Sequence, residues 1–195
     1  MVVVLGAFRD KSIRVACVGD SITTLSTYPS DLQDLLGPDY NVKEFGVVGS
    51  TVLSTGYSPY IDQPEFQEAK DFLPTIVVVL LGTNDAREDI YQAIDNFVGE
   101  YKQLISEIQA LPSNPKIFLV APPPIFENNL FLSNEHLLDG VIPRIEQVAE
   151  ELGLPLIDVY TPLDRHPECF VDGVHPNYEG ASIIASEVYE TLLAD

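Results

Sequence analysis

The sequence predicts an α/β fold, a three-layer α/β/α sandwich around a mainly parallel sheet. Three observations carry this. Short apolar runs rich in β-branched residues recur along the chain, and longer stretches between them repeat apolar residues every three or four positions. The run TIVVVLL is apolar nearly throughout, which suits a strand covered on both faces. Right-handed crossovers between parallel strands then place helices on both sides of the sheet.

The strand runs are IRVACV (13–18), YNVKEFGVV (40–48), TIVVVLL (75–81), KIFLVA (116–121) and LPLIDV (154–159). Leu32, Leu35 and Leu36 form a short helical stripe that Gly37-Pro38 stops. Residues 63–73 read as helical. A longer stripe, from Ile90 through Phe97 and Tyr101 to Ile108, covers five turns of a 3.6-residue repeat. Another runs from Leu137 to Leu152. Pro143 lies inside it, so a kink or break is expected there, because proline lacks an N–H and crowds the preceding turn. The last stripe runs from Ala181 to Leu192.

A chain of 195 residues, 46% of them hydrophobic, has enough apolar material for one sizeable core. No linker, repeat or low-complexity run is visible, so residues 1–195 read as a single domain. Thirty acidic residues against ten basic give a net charge of −20. That balance repels phosphate backbones and anionic lipid, so neither a nucleic acid nor a membrane is an expected partner. Cys17 falls in a strand pattern and Cys169 in a loop, too few and too far apart for a disulfide framework. No apolar run reaches membrane-spanning length. MVVVLGAF has no basic residue before it and too short an apolar run for a signal core. The chain reads as soluble, cytoplasmic by default and secreted if a signal has been removed.

Four polar clusters stand out against this frame. GDSIT (19–23), GVVGST (46–51) and GTND (82–85) follow the first three strands, and DGVHP (172–176) precedes the last helix. A parallel sheet brings its strand ends to one edge, where ligands bind. Ser21 there is a hydroxyl that becomes a nucleophile only beside a base. His175 is the best available base, and Asp172, three residues earlier, is placed to fix its tautomer. Gly49, Asn84 and the Ser21 amide supply donors for a developing oxyanion. Singly, each has an ordinary explanation: Ser21 and Asp20 as turn residues, GTND as a helix cap, Gly49 as a positive-φ turn, His175 as a surface residue. Their joint occurrence at one edge is what points to chemistry. His136, at the start of a helical pattern, reads as a surface residue, and His166 precedes a proline in a loop; neither completes such a motif. No cofactor and no metal site is indicated.

These four clusters, in this order, resemble the four signature blocks of the SGNH hydrolases, also called GDSL esterases. The resemblance implies a five-stranded, flavodoxin-like parallel sheet between helices. It makes Ser21 the nucleophile, His175 the base, Asp172 its orienting acid, and Gly49 and Asn84 oxyanion donors. No G-x-S-x-G occurs, which separates the chain from the ordinary α/β hydrolases. RVACVGDSIT, YPSDLQDLLG and GVIPRIEQVAEELGLPLIDVYTPL are similar to bacterial carbohydrate acetylesterases, of the sialate O-acetylesterase or acetylxylan esterase kind.

The expected activity is hydrolysis of short acyl esters, acetyl above all, on a small-molecule or carbohydrate alcohol. A lysophospholipase or thioesterase with the same site is the alternative, and a non-catalytic binding module a more distant one. Tyr57, Tyr60, Arg87, Pro123 and Phe126 follow the blocks and are candidates to line the cleft, although burial in the core is the commoner fate of such rings. Arg87 is expected to pair with a nearby acid such as Glu88 rather than with substrate. The alcohol cleaved and the oligomeric state are left open.

Overall fold

The computed structural model describes residues 12–194; MVVVLGAF lies outside that range. Five strands, β1 (Ile13–Gly19), β2 (Tyr40–Gly46), β3 (Ile76–Leu80), β4 (Lys116–Ala121) and β5 (Leu156–Asp158), form one sheet in the order β2-β1-β3-β4-β5. All four neighbouring pairs are parallel. The helices are α1 (Ser21–Leu25), α2 (Tyr28–Leu36), α3 (Pro64–Asp71), α4 (Phe97–Gln109), α5 (Asn134–His136), α6 (Ile142–Leu152), α7 (Tyr160–Leu163) and α8 (Tyr178–Ala194).

Alternation along the strands divides the core in two. Val77 and Val79 of β3 join Phe66 of α3, Phe97 to Ile108 of α4, and Ile145 and Val148 of α6. Val78 and Leu80 face the other way, toward Tyr28 and Leu32 of α2, Leu163 of α7, and Ile184 and Val188 of α8. The central strand is buried on both faces, which is why its sequence lacks the polar alternation of a half-exposed strand.

Two helical segments differ from their sequence patterns. The stripe beginning at Ile90 is a 3₁₀ helix over Tyr91–Asn96 and becomes α-helical only at Phe97. No residue of the 3₁₀ segment is fully buried, so the packing that selects a full α-turn starts where Phe97 and Tyr101 enter the core. At Pro143 the chain stays helical. The proline occupies the first turn of α6, where a missing N–H costs little, and a wider π turn over Leu137–Val141 takes the place of a kink.

Register positions the edge. Gly19 at the end of β1 pairs with Gly46 of β2 on one side and Leu80 of β3 on the other, so three consecutive strands end level. The chain is tightly packed at this point. A Cβ on Gly19 would collide with the Thr23 side chain and come within 2.6 Å of the Leu80 carbonyl oxygen. Gly19→Ala is expected to lower stability by about 1–3 kcal/mol, as overpacking does, and a urea midpoint shift with unchanged slope would measure it.

Candidate active site

The residues that converge at this edge come from four loops. Asp20 is the N-cap of α1, its Oδ1 accepting the Ile22 N–H at 2.9 Å. Ser21 is the first helical residue, a position whose amide has no partner within the helix. Its side chain is nearly enclosed, with 5% of the residue exposed.

The His175 Nε2 lies 2.9 Å from the Ser21 Oγ, across 154 positions of sequence. On the other side of the ring, Nδ1 lies 2.7 Å from Asp172 Oδ2. A carboxylate at Nδ1 calls for the proton on that nitrogen and leaves Nε2 free to accept from the serine hydroxyl. Asp172 Oδ1 also accepts the amides of Val174, at 3.0 Å, and of His175, at 2.8 Å. Partial burial works against the Asp172 charge, but the His175 and Val174 hydrogen bonds outweigh it and hold the carboxyl below its ordinary range. One short turn thus both orients the ring and keeps its acidic partner ionised.

Gly49 lies in the turn after β2 with φ +74°, a left-handed conformation that glycine adopts without strain. The turn is tied to β1 because Val47 donates its N–H to the Gly19 carbonyl at 3.0 Å. Asn84 follows β3, and its Nδ2 donates to the Ser50 carbonyl at 3.0 Å and, more weakly, to Asp20 Oδ2 at 3.4 Å. All five candidates therefore lie at the carboxyl edge, on the loops after β2, β1 and β3 and on the segment before α8.

The family model for the GDSL-like lipase/acylhydrolase family matches residues 17–183. The chain belongs to this family. It is 33% identical to an acetylxylan esterase of Xylanibacter ruminicola over 203 residues, which take in 91% of this chain and 42% of that protein. It is 23% identical to the GDSL esterase/lipase CPRD49 of Arabidopsis thaliana, over 61% of this chain and 54% of that one. The chain thus spans about half the length of these relatives. Among solved structures, the aryl esterase of M. smegmatis superposes with a TM-score of 0.76 at 18% identity, covering 94% of this chain and 99% of that one. A carbohydrate acetylesterase family member from Sinorhizobium meliloti gives 0.70 at 22% identity, covering 93% and 97%. Both show the same fold.

One residue at this edge was missed by the sequence reading. Asp85 is fully buried, and its two carboxylate oxygens accept the N–H groups of Leu53, at 2.8 Å, and Val52, at 3.1 Å. It clamps the loop after β2 to the turn after β3. The signal was an acid placed between Asn84 and Ala86 directly after a buried strand; its partners, over thirty positions away, carried none. Burial pushes Asp85 up to about 7, against the pull of its two amides. Burial likewise raises Asp20 to about 7, opposed by the Ile22 amide and then by Thr83. The Thr83 hydroxyl eases the Asp20 charge from nearby without meeting hydrogen-bond geometry.

The other candidates divide. Tyr60 is fully buried and donates its hydroxyl to the Phe45 carbonyl, and Pro123 is buried, so neither lines a cleft. Phe126 packs edge-on to Phe170 and borders an open cleft of about 790 Å³ that reaches Asp172 and Gly173. Arg87 pairs with Asp89 at 2.8 Å instead of Glu88. His136 is half-buried rather than on the surface; it stacks on Tyr91 at 3.9 Å and bonds the Ala86 carbonyl. His166 is exposed and pairs with Glu168 at 2.8 Å.

Asp85 links this site to stability. Its folded value, about 7, exceeds its ordinary 3.8, so the native state keeps a proton that the unfolded chain releases between them. This contribution is complete below the unfolded value and lost as pH rises through 7. Urea melts should show stability falling as pH rises through this window, and a flatter profile in Asp85→Asn. At the acid end the variant should be weaker by about 1–3 kcal/mol, because an amide oxygen can serve one N–H while its NH₂ opposes the other.

Proposed function

We infer that this chain is a serine esterase that removes short acyl groups, acetyl first, from a carbohydrate alcohol through an acyl-enzyme. The observation that carries the reading is the unbroken chain of contacts from Asp172 through His175 to the Ser21 hydroxyl, at 2.7 and 2.9 Å. Ser21 Oγ attacks the ester carbonyl carbon while His175 Nε2 takes its proton. The carbonyl oxygen becomes an oxyanion held by the amides of Ser21 and Gly49 and by Asn84 Nδ2. Asn84 meets it by giving up its longer contact, the 3.4 Å one to Asp20. The C–O bond to the alcohol then breaks, and the departing oxygen takes the proton from His175. Water, deprotonated by His175, attacks the acyl carbon; the collapse frees the acid and returns the proton to Ser21.

The substrate side rests on chemistry and likeness together. A net charge of −20 disfavours anionic lipid and polyanionic substrates. An acetylxylan esterase and a carbohydrate acetylesterase are among the proteins this chain is similar to.

The test is acetate release from p-nitrophenyl acetate, longer p-nitrophenyl esters, acetylated xylan and O-acetylated sialic acid. Ser21→Ala is expected to lose about a thousand-fold or more in kcat while keeping its circular dichroism spectrum. Serine-dependent release confined to long-chain or thioester substrates would keep the site and overturn the carbohydrate reading.

A further inference from the structure

Tyr57 is 76% exposed, yet its ring is held from two directions. The hydroxyl donates to Asp89 Oδ2 at 2.6 Å, and the Arg87 guanidinium carbon lies 5.2 Å from the ring centroid. Asp89 Oδ1 in turn accepts from Arg87 Nε at 2.8 Å, which closes a triangle of contacts. Arg87 also lies over Phe131, at 5.6 Å. Phe131 is 68% exposed and holds φ +61°, a left-handed backbone that is costly for a bulky residue. Its loop is fixed beside Arg87 by the Arg87–Leu132 bridge and by the Glu88 N–H donated to the Phe131 carbonyl at 3.4 Å.

The loops after β2, β3 and β4 therefore meet at one guanidinium. The same loops after β2 and β3 carry Gly49 and Asn84, and Arg87 is three residues past Asn84, within about 11 Å of chain. Core packing does not account for the arrangement, since neither ring is buried. Ordering an exposed side chain costs rotamer entropy, and the Phe131 backbone adds strain. What the arrangement provides is a pair of aromatic rings fixed before any ligand arrives, which lowers the ordering cost of binding a flat, partly apolar partner. The charge of Arg87 is already matched by Asp89, and the surface is strongly acidic, so a substrate carboxylate finds no unmatched cation here. An uncharged pyranose, with its apolar C–H face, fits.

We propose that Tyr57 and Phe131 form a stacking platform for an uncharged sugar ring on the alcohol side of the scissile ester, with Arg87 and Asp89 as the residues that position it. The proposal rests on the esterase reading above and names the part of the substrate that selects it. Kinetics on an acetylated xylo-oligosaccharide and on ethyl acetate, which has no ring to stack, separate binding from chemistry. In Tyr57→Ala the ratio of kcat/KM for the sugar to that for ethyl acetate should fall about ten-fold, chiefly through KM, and Tyr57→Trp should restore it to within about two-fold. A proportional loss on both substrates would mean that Tyr57 merely supports the loop, and an unchanged ratio would mean that no sugar meets it; either overturns the platform. Nuclear magnetic resonance titration of Ser21→Ala with unacetylated xylo-oligosaccharide needs no turnover, so it judges the platform even if serine-dependent hydrolysis fails. Binding that weakens about ten-fold when Tyr57→Ala is added supports it, and absent or unaffected binding overturns it.

Discussion

Two backbone amides, those of Val52 and Leu53, belong to no strand or helix, and both are satisfied by the single buried carboxylate of Asp85. Buried N–H groups must find acceptors, so the loop after β2 can close only in the position that brings these two to Asp85. That position also sets the Ser50 carbonyl where Asn84 Nδ2 can donate to it, and places Gly49 one residue before. Because Asp85 is next to Asn84 in the chain, a shift of either loop would move both. The loop geometry at the carboxyl edge thus follows from two amide–carboxyl contacts between two loops, laid over strands that end level at Gly46, Gly19 and Leu80.

The turn that carries Asp172 and His175 is built differently. Asp172, Val174 and His175 lie within four consecutive positions, and one carboxylate makes the turn with two amides while it holds the ring with its second oxygen. This unit needs little from the rest of the protein to be internally correct. It does need to be delivered, and the start of α8 delivers it: Asn177 caps that helix by accepting from the Glu179 and Gly180 amides. A local motif docked by a long helix then meets Ser21, whose placement depends on the centre of the sheet.

This division explains what could be read from the sequence. Local patterns were legible. KIFLVA is β4 residue for residue, the glycine and proline after Leu36 do end α2, and the four polar blocks do gather at one edge. What escaped depends on contacts far apart in the chain. Nothing near Asp85 announces Val52 and Leu53. Tyr57 and Tyr60 are alike in sequence, and only the closure of their loop sends one into solvent and the other beneath Phe45. His136 looked like a surface residue because its partners, Tyr91 and Ala86, come from another segment. The 3₁₀ stretch at Tyr91–Asn96 kept helical spacing in its sequence but lacked the burial that turns spacing into an α-helix.

The separation between Ser21 and His175 also matters while the protein is being made. Ser21 lies just past the end of the first strand, and His175 is 154 residues further on. At ordinary elongation rates, the growing chain carries that serine for about 8 to 30 s before its histidine has even been synthesised. Translation itself delays the Ser21–His175 contact, which can form only after all five strands of the sheet have been synthesised.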